Sequence, residues 1–172
     1  MTHKVHPKAY RLRRLADWGS RWLDEKNFSK YLEEDFKIRD FLKKKIGKFG
    51  VEKIEIERFS GKLNVIIFSA RPGLIIGRGG SGVEELKKEL AAKIFKNRAE
   101  QKLGEDKKEI RIEIREIKDV WSSPMLSVQY ISQQIERRMP FKRVLKQTLD
   151  KIMSSRQVKG ARIEMSGRLY GK

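Results

Sequence analysis

RPGLIIGRGGSGVEELKKEL, residues 71–90, holds five glycines and then an amphipathic helix marked by Val83, Leu86, Leu90 and, beyond the quoted stretch, Ile94. Glycines at the mouth of a helix let backbone N–H groups come close to an anion, most often a phosphate. A Walker phosphate loop requires G-x-x-x-x-G-K-[ST], and no such run occurs here. The spacing G-x-G-x-x-G of a dinucleotide fold is present at Gly77, Gly79 and Gly82. Its surroundings do not support it. The preceding strand stops at Arg71-Pro72-Gly73 rather than feeding the turn, and the parallel βαβ repeats are missing. The acid expected about 20 residues on falls in the loop at Glu105-Asp106.

Working outward, a helical pattern runs from Tyr31 to about Lys48, with Phe36, Phe41, Leu42 and Ile46 on its apolar face. VEKIEIERF (51–59) alternates, Ser60-Gly61 makes a hairpin turn, and KLNVIIFSA (62–70) is apolar on both faces, as a central strand is. The glycine stretch and its helix, to about Arg98, follow. EIRIEIREI (109–117) then alternates, with Ile110, Ile112 and Ile114 facing in. In that order, Gly77-Arg78-Gly79-Gly80 reads as the G-x-x-G loop of a KH domain, whose backbone clamps about four nucleotides of single strand. The fold expected is α+β: a type II KH domain (31–119), a three-stranded sheet with helices on one side, after a basic arm (1–30). A second α+β domain follows (120–172), with helices Leu126–Arg138 and Phe141–Ser155 and a strand at ARIEM (161–165).

The charge points to the same partner. With 41 basic and 23 acidic residues the formal net charge is +18, and a compact chain with that self-repulsion suits a polyanion. No segment approaches the ~18 apolar residues of a membrane span. Nor does any helix set a Lys/Arg face against a Trp/Phe face, so nucleic acid is preferred to a membrane surface. The absence of cysteine excludes disulfides and thiolate metal sites. The arm carries eight Lys/Arg against three acids, and its Trp18/Trp22 pair reads as a cap on the core from outside, in preference to a stack for bases, because Asp17, Asp24 and Glu25 beside it would repel phosphates. Residues 137–172 hold eleven basic residues and two acids, Asp150 and Glu164. On the helix from Phe141, the residues Phe141, Val144, Leu145, Thr148 and Ile152 share one arc. Lys142, Arg143 and Lys146 share the other, a basic stripe opposite a core face.

These segments resemble the family of bacterial-type small-subunit ribosomal protein three, the KH-containing protein of the 30S head. The likeness runs through KVHP (4–7), Trp18/Trp22, DFKIRDFL (35–42), ARPGLIIGRGG (70–80), ISQQIERRMPFKRVLKQ (131–147) and KGARIEMSGRLYG (159–171). It implies a structural component that binds small-subunit ribosomal RNA beside proteins ten and fourteen. It also implies a place, with proteins four and five, at the pore where messenger RNA enters. Carried over, the family's RNA-unwinding residues fall on Lys142, Arg143 and Lys146, with Lys142 where Arg is common. The remaining RNA contacts expected are the loop Gly77–Gly80 with Arg78, then Lys4, His6, Arg11, Arg137, Arg138 and Arg168.

Departures are Thr2-His3 after the initiator, the uncharged Gly79 inside the clamp, and an end at Lys172 where family chains continue through more strands. The strand 161–165 is therefore expected to find its partner outside this chain or in misread strands of 115–125. No cofactor, metal site or catalytic set is expected: both histidines, His3 and His6, lie on the arm, and the acids alternate with lysines on solvated faces. The expected location is the cytoplasm, in the ribosome, with an organellar ribosome as the other possibility.

Overall fold

A computed structural model of the chain describes residues 4–5, 7–11, 17–59, 62–95 and 109–168. After a short helix α1 (Pro7–Arg11) come strand β1 (Ser20–Arg21) and the long helix α2 (Phe28–Ile46), closed by a helical turn at Gly47–Phe49. Strands β2 (Val51–Phe59) and β3 (Lys62–Ser69) pair antiparallel, register Phe59↔Lys62 to Val51↔Ser69, with one irregularity between Val51 and Lys53. The hairpin turn expected at Ser60-Gly61 lies outside the described residues. The short helix α3 (Pro72–Ile76), a turn at Arg78–Gly80 and helix α4 (Ser81–Phe95) then lead to β4 (Glu109–Glu116), parallel to β3.

The core is where the alternation placed it. Ile54 and Ile56 of β2, Leu63, Val65 and Ile67 of β3, and Ile110 of β4 are buried against α2 and α4, which contribute Ile38, Leu42, Ile46, Leu86 and Leu90. Each such side chain contributes about 1.5–3 kcal/mol on burial, so this layer is the main stabilising element. The apolar face of α2 differs from the one expected. Phe36 is 72% exposed, while Asp35 and Ile38 take the inward positions.

Asp35 explains a second correction. The sheet has four strands, order β1-β2-β3-β4, rather than three, because Ser20–Arg21 of the arm pairs parallel with Ile56 and Glu57. The fully buried Asp35 carboxylate accepts hydrogen bonds from Ser20 Oγ at 2.8 Å and Trp22 Nε1 at 2.9 Å. Its other oxygen accepts from Arg58 Nε at 3.0 Å and Nη2 at 2.5 Å. Arg39 adds bonds to Gly19 O and Ser20 Oγ. Trp22 thus caps the core as expected, packed on Phe28 and Tyr31, whereas Trp18 stays 58% exposed.

Beyond a turn at Val120–Ser122, helices α5 (Pro124–Glu136) and α6 (Phe141–Met153) form a hairpin. Leu126, Val144, Thr148 and Ile152 are buried in it, and Gln129 Nε2 donates to Val51 O at 2.8 Å, tying it to the sheet. The strand expected at 161–165 is not formed. The segment is without regular structure and without a ladder, and β4 followed by the Val120–Ser122 turn provides no strand for it. Its alternation survives, with Ile163 and Met165 half-buried and Ala161, Arg162 and Glu164 exposed. The segment walls an apolar cleft of about 640 Å³ against Val128, Ile131 and Ile135. Alternation chose the face; without a neighbouring strand it could not make a ladder.

Candidate nucleic-acid interface

The glycine loop sits where β3 hands the chain to two helices. Ser69 Oγ donates to Phe49 O and accepts from Arg71 N–H, which fixes the start of α3, with Pro72 in its first turn. Helix α3 ends at Gly77, at φ 72° and ψ −179°, a conformation reserved for glycine. Gly82 has a different task. A Cβ there would lie 2.4 Å from Ile75 O, so only glycine lets the first turn of α4 press against the last turn of α3. The third glycine of the apparent dinucleotide spacing is therefore a packing residue.

Gly79 and Gly80 face open space, with nothing within 4 Å of a Cβ added to either. Arg78, between Gly77 and Gly79, is exposed and makes no ion pair among the described residues. Leu74 and Ile76 beside the loop are 57% and 39% exposed, an apolar shelf next to the open backbone of Gly79 and Gly80. An approachable glycine backbone, one cation and an apolar surface suit a single strand, binding its phosphates with bases laid alongside.

The second basic surface is the α5–α6 hairpin. Arg137 and Arg138 form the turn, and Lys142, Arg143 and Lys146 follow on the exposed side of α6; all five are exposed. The buried Val144, Thr148 and Ile152 point the other way, so the stripe read from the sequence exists. Arg137, Arg138, Arg143 and Lys146 make no ion pair among the described residues. The turn is a Schellman cap: Arg138 N–H donates to Ile135 O at 2.8 Å and Met139 N–H to Gln134 O at 3.1 Å. Arg138 has φ 61°, and among the described residues it is the non-glycine residue with positive φ.

Elsewhere several charges are paired within the chain. Arg21 bonds Asp17, Glu55 and Glu57; Lys45 spans from α2 to Glu85 and Glu89 on α4; Arg115 bonds Glu113. The hydrogen bond that Arg21 donates to Asp17 raises the Arg21 pKa, and the one that Lys45 donates to Glu89 raises that of Lys45. Conversely, Lys45 holds Glu89 below its ordinary value, and Arg115 does the same for Glu113. Among the other expected contacts, Lys4, Arg11 and Arg168 are exposed and belong to neither the loop nor the hairpin turn; His6 lies outside the described residues.

Two family models match the chain: a KH domain over residues 37–122, and the C-terminal domain of ribosomal protein S3 over residues 131–172. The chain is 41% identical to the small ribosomal subunit protein uS3 of Clostridium tetani, over 99% of this chain and 72% of that protein. It is 44% identical to the protein of the same name from Geobacter sp. (strain M21), over 99% of this chain and 75% of the relative. The figure for that of Caldicellulosiruptor saccharolyticus is 42%, over 99% and 72%.

Proposed function

The chain belongs to the ribosomal protein S3 family of the small subunit, and from that premise we propose that it grips RNA at two places with two chemistries. The KH loop, Gly77 to Gly80 with Arg78, clamps a single-stranded stretch of ribosomal RNA through backbone N–H groups and one cation. The helical hairpin holds messenger RNA where it enters the subunit, and its cations keep the strands of a downstream duplex apart as RNA is drawn in.

The observation that carries this reading is the exposed stripe on α6, set against buried Val144, Thr148 and Ile152. Phosphate contacts from such a stripe gain affinity by releasing counterions, whatever the sequence of the message. Lys142 in place of the more usual arginine offers a point charge rather than a fork, which suits a strand that must slide. The arm, through Lys4, His6 and Arg11, and Arg168 at the far end add contacts to ribosomal RNA. The family resemblance supports proteins ten and fourteen as neighbours in the subunit head and proteins four and five around the pore, in cytoplasmic ribosomes.

The test is the variant Lys142→Ala/Arg143→Ala/Lys146→Ala. Alanine is the strongest helix former and these side chains face away from the core, so the variant is expected to fold and to enter small subunits normally. Translation of unstructured messages proceeds at near-normal rate, and messages with a stable hairpin are slowed several-fold. Equal slowing on both message types would remove the unwinding role, and failure to enter subunits would make these residues anchors for ribosomal RNA.

A further inference from the structure

The turn between α5 and α6 gathers three unfavourable features. Arg138 stands at the position after the helix cap, where the chain reverses in the left-handed conformation and glycine is the favoured residue. An L side chain there crowds its own backbone. Arg143 occupies the first turn of α6, at the positive end of the helix dipole, and that turn holds no acid. Arg137 and Arg138 are adjacent like charges on the same short connection, and the neighbouring Glu136 forms no ion pair with either among the described residues. Local strain, an adverse dipole and like-charge crowding coincide on one exposed elbow, and an anion from outside the chain would offset the last two.

From this we infer that Arg138 is an RNA-contacting residue kept at the expense of fold stability, its guanidinium meeting a backbone phosphate of the RNA that follows the α6 stripe. The inference rests on the RNA-gripping role proposed for the hairpin and goes further: it names the residue at which fold and function pull apart. Glycine at 138 would relieve the backbone, yet it would remove a forked donor suited to phosphate. The substitution should therefore move stability and binding in opposite directions, which a purely structural arginine could not do.

Four variants of the full chain separate the possibilities: Arg138→Gly, Arg138→Ala, Arg138→Lys and, as reference on the helix, Arg143→Ala. Each is measured for thermal midpoint and for binding of a single-stranded RNA oligonucleotide across a salt series. Arg138→Gly is expected to raise the midpoint by about 2 °C. It should also weaken binding about three- to tenfold and lower the salt slope by roughly 0.7, one phosphate's share on a single strand. Arg138→Ala weakens binding equally without raising the midpoint, because alanine keeps the strained backbone. Arg138→Lys retains most of the affinity and the wild-type midpoint. If Arg143→Ala weakens binding while Arg138→Gly leaves it unchanged, the inference falls and the hairpin's role stands. If neither variant alters binding, the hairpin's role falls and takes the inference with it. A midpoint lowered by Arg138→Gly would overturn the claim that the arginine costs stability.

Discussion

The KH unit and the helical hairpin handle the same residue types in opposite ways. In the KH unit, many cations are answered from within: Arg21, Lys45 and Arg58 bond carboxylates of other elements, and Lys37, Lys44, Lys53 and Arg115 bond acids of their own. Along the hairpin, Arg137, Arg138, Arg143 and Lys146 stand exposed without such partners among the described residues. The cause is composition, since Asp150 and Glu164 are the acids among residues 137–172. Most surface pairs in the KH unit add little stability individually. What they do is balance charge locally, whereas residues 137–172 hold eleven basic residues against two acids. The KH loop carries less charge and offers instead an open glycine backbone, an apolar shelf and one arginine.

The sharpest way to break this comparison is at Asp35. Asp35→Ala leaves the buried Arg58, whose side chain is 7% exposed, with Glu34 as its one remaining carboxylate among the described residues and cuts Ser20 and Trp22 loose. A loss of about 3–5 kcal/mol in chemical denaturation is expected. A loss under about 1 kcal/mol would show that the KH cations are as dispensable to the fold as those of the hairpin. Next in size is the loop variant Arg78→Asp/Gly79→Asp. Position 79 has φ 61° with open space around it, a conformation aspartate tolerates, so folding persists and far-ultraviolet circular dichroism stays native. Two carboxylates facing a phosphate chain should weaken single-stranded RNA binding by about tenfold. Unchanged affinity across a salt series would reduce the loop to a turn.

The smallest effect concerns acid. Because Lys45 holds Glu89 below its ordinary value of 4.5, that pair stabilises the fold fully at neutral pH. Its contribution is lost as pH falls from 4.5 through the lower folded value. Lys45→Met should remove this increment at pH 7 and leave variant and parent closer in stability at low pH. A gap that stays constant with pH would show that Lys45 acts through its aliphatic stem.

The sequence made legible what depends on period. The two-residue alternation of 51–59 and 109–116 and the helical spacing after Gly82 appear where the pattern puts them, because a buried face enforces its own repeat. What escaped depends on partners distant in the chain. Ser20–Arg21 is too short to show a period, and Asp35 sits in a helix whose aromatic Phe36 is the more obvious inward candidate. Only Ser20, Trp22 and Arg58, brought together by the fold, make an acid the better core residue. ARIEM shows the converse case, a legible face with no strand to pair with. At the site, the loop and the α6 stripe were readable from spacing. The left-handed Arg138 was not, since an arginine before Met139-Pro140 carries no sign of φ.

The strand at Ser20–Arg21 also sets an order of events during synthesis. Its ladder partners on β2 and the arginine that completes the Asp35 cluster lie ~40 residues downstream, and chains grow at about 5–20 residues per second. Ser20–Arg21 is thus synthesised before the strand that seats it. For some ~2–8 s it is without that ladder. Seating it waits on Arg58, the residue that ends that interval.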